Sequence, residues 1–428
     1  MAGFTPGARV TSAAPIFWNQ TFRNRTARVD NPALGLSGFG RIAFGFLWLF
    51  IFTLPGEKVL ELPGVGTISR LAGLVAIGAG VLAIVEARRF RLPAPAHLAM
   101  AAFIVWSAFT YCWSYAPEWT QEKVYTYFQL FAMAWLIWEL CRDDREQRLL
   151  MQAYVLGTLV SCADTIANYA VRHQTYYLRY ATTGFDPNDL GLTLALSLPL
   201  SYYLVLRSAG AMVWIYRLQM ASAIFTILLT ASRAAWMASV VGLALVPWTF
   251  HILSRKTRIL TVTLGLVLVT ASVSLVPASS WQRIATIHSE VAEGTLNKRT
   301  MIWGAGLTVL REHPFRGVGV GAFPAAVQSI LGTETGMTFV AHNSFLSVLV
   351  ESGAVGFLCF FALLGVLALS MLDLQTLEAK LWIVMIAAWA IGVSTLTWEN
   401  RKPTWLIFSL LTAQWGTASR LLSTRGAR

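Results

Sequence analysis

Ala341-His342-Asn343-Ser344-Phe345-Leu346-Ser347-Val348-Leu349-Val350-Glu351-Ser352-Gly353-Ala354-Val355-Gly356 opens on a polar pair and runs into an apolar stretch that continues to about residue 370. Crossing about 30 Å of hydrocarbon takes roughly 20 helical residues, and this stretch has them. His342 therefore belongs at a membrane surface, at the N-terminal end of a spanning helix. Before it lies the longest polar interval between hydrophobic runs, residues 277–342, which gathers Lys298, Arg299, Arg311 and Arg316 with His313 and His342. On either side the pattern is one apolar run after another.

Composition agrees with life in lipid. The 428 residues are 56% hydrophobic and 13% charged, with a mean hydropathy of +0.58, whereas soluble domains carry about 25% charged residues. Seventeen tryptophans suit two interfacial belts. In a soluble protein a net charge of +12 would point to nucleic acid. Here it follows membrane topology, with anionic membrane lipid as the partner and no nucleic acid. Cys112, Cys141, Cys162 and Cys359 lie in or at the ends of apolar runs, with neither metal-ligand spacing nor a disulfide framework.

Residues 1–35 are polar, hold Arg9, Arg23, Arg25 and Arg28, and are too long and too polar for a cleavable signal peptide. They read as a cytoplasmic N-terminal tail. Apolar runs follow at about 36–54, 66–86, 95–115, 121–140, 147–171, 188–206, 211–231, 234–253 and 258–276, and then at about 343–370, 378–397 and 404–421. The expected fold is an all-α integral membrane protein of twelve spans: nine within 36–276, three within 343–421, and a short tail at 422–428. Arg88, Arg89 and Arg91, then Arg142, Arg145 and Arg148, then Arg255, Lys256 and Arg258 share a side with the N-terminus. By the positive-inside rule both ends are cytoplasmic and the 277–342 loop faces outward.

That assignment leaves cations that sorting does not explain. Arg233 sits in the short link Thr230-Ala231-Ser232-Arg233-Ala234-Ala235-Trp236, and Arg172 and Arg179 flank an aromatic-rich loop. Single outward cations ordinarily meet lipid headgroups; their concentration here favours a bound anion. Within the loop, Trp303, Leu307 and Leu310 recur at helical spacing, so a short amphipathic helix over 300–312 is predicted, ended by Pro314. Arg299 would stand in its first turn, where unpaired N–H groups add positive potential. Gly317, Gly319 and Gly321 read first as a tight turn and second as a backbone approach to phosphate.

A histidine at a helix end is ordinarily a cap or interface residue, and His313, before Pro314, shares that reading. The sharper reading of His342 is a general base. The helix dipole and nearby arginines disfavour imidazolium, and a neutral ring accepts a proton. Asn343 or Ser344 supplies the N-cap. Glu351, nine residues on, falls on the opposite helical face about 13 Å deeper. It is a poor direct partner for His342 and is expected to face another helix or a polar cavity. Gly353 and Gly356 read as close helix packing. No Walker loop, Asp-x-Asp pair, His-Glu-x-x-His or Cys-x-x-Cys occurs, and Asp186-Pro-Asn-Asp189 reads as an N-cap. ATP, a bound metal and a cofactor are therefore not expected.

Three stretches carry a resemblance: Thr-Ala-Ser-Arg233-Ala-Ala-Trp; Lys298-Arg299-Thr-Met-Ile-Trp303 with Arg311-Glu-His313-Pro-Phe-Arg-Gly-Val-Gly; and Ala-His342-Asn343-Ser344-Phe. With the His-Asn-x9-Gly-x-x-Gly spacing, the chain resembles the O-antigen ligase family, which is related to the O-antigen polymerases. The resemblance implies a scaffold similar to the GT-C glycosyltransferases with a large periplasmic loop. It also implies metal-independent, inverting transfer of polysaccharide from undecaprenyl diphosphate to lipid A–core oligosaccharide at the periplasmic face of the bacterial inner membrane. By motif, His342 matches the family's essential histidine, and Arg233 and Arg299 its essential arginines. Lys123 matches a further basic position without an anchoring motif, and Arg311, His313 and Asn343 are candidate supports. An O-antigen polymerase would use the same donor with a second lipid-linked glycan as acceptor. An anion or lipid transporter would predict an inverted repeat and mid-membrane charges.

Overall fold

The structure, a computed structural model, describes residues 38–426 apart from residues 63–65, 89, 177–178, 287–298 and 333–338. The expected N-terminal tail and Lys298 lie outside the described residues. The chain begins with α1 (Gly38–Thr53), a two-residue antiparallel pair β1 (Glu61–Leu62) and β2 (Gly66–Thr67), α2 (Ile68–Ala87), α3 (Pro95–Phe109), α4 (Pro117–Leu140) and α5 (Asp144–Ala167). It continues with α6 (Pro187–Arg207), α7 (Ala211–Thr230), α8 (Arg233–Leu243), α9 (Leu245–Thr249) and α10 (Arg255–Leu275). Three short helices follow, α11 (Ala278–Ala285), α12 (Arg299–Glu312) and α13 (Phe323–Leu331), and then α14 (Ser344–Met371), α15 (Thr376–Val393) and α16 (Lys402–Gly426).

The fold is that of an all-α integral membrane protein. Among the described residues nine helical segments are long and apolar enough to cross a membrane. Each of the twelve expected apolar runs falls on a helix. The three outside the nine are α1, with 16 residues, α4, which carries Glu118, Glu122, Lys123 and Glu139, and α16. Helix α16 runs to Gly426, into the stretch read as a tail.

Helix α6 is the axis of the bundle. Asp186 caps it by accepting from the Asn188 N–H at 2.8 Å, Pro187 starts its first turn, and nearly every side chain from Leu190 to Leu204 is buried. It packs on α5, α7, α8 and α15. Helix α10 lies at the rim, with Leu266, Val267, Val269 and Val273 exposed, as a lipid-facing helix requires.

Helix α12 confirms the predicted short helix but turns a different face inward. Ile302, Ala305, Gly306 and Val309 are buried, while Leu307 is exposed. The reason is tertiary: α12 packs with Val318, Phe323, Val327 and Val350 in a small separate core, so its neighbours select the buried stripe. Trp303 instead donates its indole N–H to the Ala341 carbonyl at 2.8 Å.

Helix α14 is interrupted at Gly353, whose φ is 65°. A break at that depth frees backbone groups that lipid cannot satisfy. The segment after α12 satisfies them. Val318 N–H donates to the Val350 carbonyl (3.2 Å) and Gly319 N–H to that of Glu351 (2.9 Å), while Ala354 N–H donates to Pro314 (2.8 Å) and Val355 N–H to Phe315 (3.3 Å). Gly317, at φ 68°, sits so close that a Cβ there would lie 2.4 Å from the Glu351 carbonyl oxygen. The glycine repeat is thus a turn built to dock on a broken helix.

Candidate active site

His342 lies just before α14 with a left-handed backbone, φ 47°. Four hydrogen bonds fix the segment around it. His342 N–H donates to Thr397 Oγ1 at 3.1 Å, Asn343 Oδ1 caps α14 through the Leu346 N–H at 3.1 Å, and Ser344 both donates to the Leu396 carbonyl at 2.9 Å and accepts from the Trp398 N–H at 2.7 Å. Asn343 therefore supports His342 as a cap. Burial, reinforced by the Arg299 charge and opposed by Asp186, holds the imidazole pKa below its ordinary value. The ring makes no hydrogen bond to the described residues and lines a cavity of about 420 Å³.

Arg299 is the first residue of α12 and half-buried, close enough to act on His342 electrostatically. Arg233 opens α8 and donates from Nη1 to Thr286 Oγ1 at 3.2 Å. Neither arginine lines the His342 cavity, but its wall connects to Arg233 through Asn188. Ser232 Oγ donates to Asn188 Oδ1 at 3.0 Å, and Arg179 Nη2 to the same oxygen at 2.9 Å. Burial, with repulsion from Arg283 and Arg233, lowers the Arg179 pKa to about 10, still charged at neutral pH. Arg179, Arg233 and Arg283 thus form a cationic group behind the Asn188 wall. Arg179 is legible in the sequence only as an outward cation and Arg283 only as one more basic residue of the 277–342 loop; their sequence neighbours carry no sign of the cluster.

Lys123 lines the same cavity as His342 but is buried between two carboxylates, 2.8 Å from Glu351 Oε2 and 2.6 Å from Glu399 Oε1. Glu399 also accepts from Ser347 Oγ at 3.1 Å. Glu351 shares the cavity with His342, unlike the straight-helix projection, because His342 precedes the cap and its left-handed backbone takes it off the helical spiral. His313 is elsewhere, its Nε2 2.6 Å from the Tyr115 hydroxyl. Arg311 is exposed in the last turn of α12, about 18 Å along the axis from Arg299. Neither lines the cavity. Among the described residues no three His, Cys, Asp or Glu side chains gather as a metal-ligating group.

Fold and site define a multi-pass membrane protein with a buried histidine on the wall of a cavity, Arg299 acting on it and a cationic group behind Asn188. The O-antigen ligase family model matches residues 218–361, from within α7 to within α14, and that match supports an O-antigen ligase family assignment. The matched stretch takes in Arg233, Arg299, Arg311, His313, His342 and Asn343, and leaves out Lys123 and Arg179. Members are glycosyltransferase-like ligases and polymerases, and the family implies lipid-linked glycan substrates. No curated protein sequence matches the chain.

Proposed function

We propose that the protein is an O-antigen ligase, moving a polysaccharide from undecaprenyl diphosphate to lipid A–core oligosaccharide on the periplasmic face of the inner membrane. In this reading all twelve apolar helices span, both termini are cytoplasmic, and no metal or cofactor takes part. His342 takes the proton from an acceptor hydroxyl as its oxygen attacks the anomeric carbon. The bond from that carbon to the phosphate oxygen breaks, undecaprenyl diphosphate leaves with the electron pair, and the anomeric centre inverts. Arg299 and Arg233 stabilise the charge on the departing diphosphate, the role for which a guanidinium fork is suited.

The observation that carries this reading is His342 itself. Its backbone is pinned and its ring is kept uncharged by burial and by Arg299, on the wall of an open cavity. Each of these features belongs to a general base. The test is reconstitution of the purified full chain with undecaprenyl-diphosphate-linked glycan and lipid A–core. Ligated product from the wild type, and none from a membrane-inserted His342→Ala variant, is the expected result. Glycan-extended donor in place of ligated core would assign a polymerase, and undiminished transfer by His342→Ala would remove the base.

A further inference from the structure

We propose that Asp186 is a positioning residue for the base: its carboxylate steadies the imidazolium that His342 becomes on taking the acceptor's proton. The inference rests on the glycosyl-transfer reading above and adds to it a residue at the start of α6, outside the matched stretch 218–361.

Asp186 has one structural duty and a charge to spare. Its Oδ1 caps α6 by accepting from the Asn188 N–H at 2.8 Å. Asparagine or serine caps a helix equally well, because the cap uses an oxygen lone pair and not a charge. The Asp186 carboxylate lines the same cavity as His342. The other charged side chains of that wall are engaged with partners. Lys123 lies between Glu351 and Glu399, and Arg401 Nη2 is 3.2 Å from Asp189 Oδ2. Asp189 also accepts from the Trp398 indole N–H at 2.8 Å. Among the described residues Asp186 is the charged group of this wall without an ion pair.

The base needs such a group. Burial and the Arg299 charge keep the resting ring neutral, and the same two causes penalise the imidazolium that forms in the reaction. Arg179, Arg233 and Arg283 add positive charge behind Asn188. As the acceptor oxygen bonds to the anomeric carbon, its proton passes to His342 and the electron pair leaves with the diphosphate. The ring then carries a full positive charge among cations. The Asp186 charge acts on His342 in the direction that favours imidazolium, and it acts on Arg179 in the same sense. Its field therefore reaches both the base and the cationic group. It does so without a hydrogen bond to the ring, which leaves the acceptor nitrogen free for the substrate proton.

Two readouts on the full chain in nanodiscs test this. One is the titration of His342 by NMR in histidine-labelled protein, its signal identified by its absence in His342→Ala. The other is the rate–pH profile of glycan transfer. In Asp186→Asn the His342 midpoint and the acid limb are expected to move to lower pH, with the melting temperature kept by the retained cap. Turnover at neutral pH is expected to fall about tenfold, less than loss of the base itself, which supplies roughly 100- to 10,000-fold. Asp186→Ser, a second uncharged cap, is expected to match it. Asp186→Glu keeps the charge but leaves the preferred capping set, so its limb should stay while its melting temperature falls. Asp189→Asn removes a charge already paired with Arg401, and its limb should stay as well. An unmoved His342 midpoint in Asp186→Asn, or an equal downward shift in Asp189→Asn, would overturn the assignment. No transfer by the wild type would remove the ligase reading, whereas transfer with an unmoved midpoint would remove Asp186 alone.

Discussion

Lys123 and Glu351, 228 residues apart in sequence, stand 2.8 Å from one another inside the bundle, and Glu399 completes the group at 2.6 Å from the same ammonium. Two carboxylates on one buried cation make Lys123 the hub. Removing one partner of a buried ion pair costs about 3–5 kcal/mol, because the remaining charge is left uncompensated. Lys123→Met is therefore expected to lower the melting temperature sharply in detergent. Adding Glu351→Gln removes one stranded charge and is expected to recover part of the loss, a non-additivity that a double-mutant cycle measures. Wild-type melting by Lys123→Met would show that the pairs contribute nothing to stability.

Gly353 and Gly365 lie in the same helix under opposite constraints. Gly353 has φ 65°, and a Cβ there would lie 2.3 Å from the Phe315 carbonyl oxygen; Gly365 has open space around the Cβ position. The left-handed conformation alone costs an L-residue roughly 1–2 kcal/mol, and displacement of the docked 314–319 segment adds to it. Gly353→Ala is expected to destabilise and to abolish transfer, since the chain two residues past that segment, at Gly321, lines the cavity. Gly365→Ala is expected to be neutral or stabilising by up to about 1 kcal/mol. Melting curves of the two variants decide; equal behaviour would mean the break is not required.

The apolar runs were legible because hydrocarbon imposes one period and one length on every span, and each expected run falls on a helix. His342 and Arg299 stand out in the sequence because neither the sorting rule nor the lipid explains them, and the fold brings them close enough to interact electrostatically. The Lys123–Glu351–Glu399 group was not legible, since its members come from α4, α14 and the turn before α16, and no local spacing links them. The same limit applies to Arg179 and Arg283, which meet Arg233 only through the fold. Gly353 misled for a different reason. A glycine in an apolar run reads as packing unless the backbone that fills its break is known, and that backbone is supplied from residues 314–319.

The lowered pKa of His342 fixes the shape of the pH profile. A base works as the neutral form, which for a depressed pKa is fully present at pH 7 and is lost only as pH falls through a value below the ordinary histidine range. Transfer is expected to be flat through neutral pH, with an acid limb below about 6.5, the unperturbed value. His342→Ala is expected to cost roughly 100- to 10,000-fold. An acid limb at or above the ordinary histidine value in the wild type would contradict the burial and charge described for the ring.

Arg299 affects the reaction in two separable ways, and two substitutions divide them. Arg299→Ala removes the charge that disfavours imidazolium, so the acid limb is expected to move up toward the ordinary value, since one cause of the depression is gone while burial remains. Arg299→Lys keeps the charge and is expected to leave the limb in place. It loses the planar fork, however, and with it bidentate hydrogen bonds to the diphosphate. Hydrogen bonds to charged groups are worth about 1.5–3 kcal/mol, so turnover by Arg299→Lys is expected to fall roughly 10- to 100-fold. Rate–pH profiles of both variants give the answer. Near-normal turnover by Arg299→Lys would mean that positive charge at the start of α12 suffices, and an unmoved limb in Arg299→Ala would mean that burial alone keeps His342 neutral.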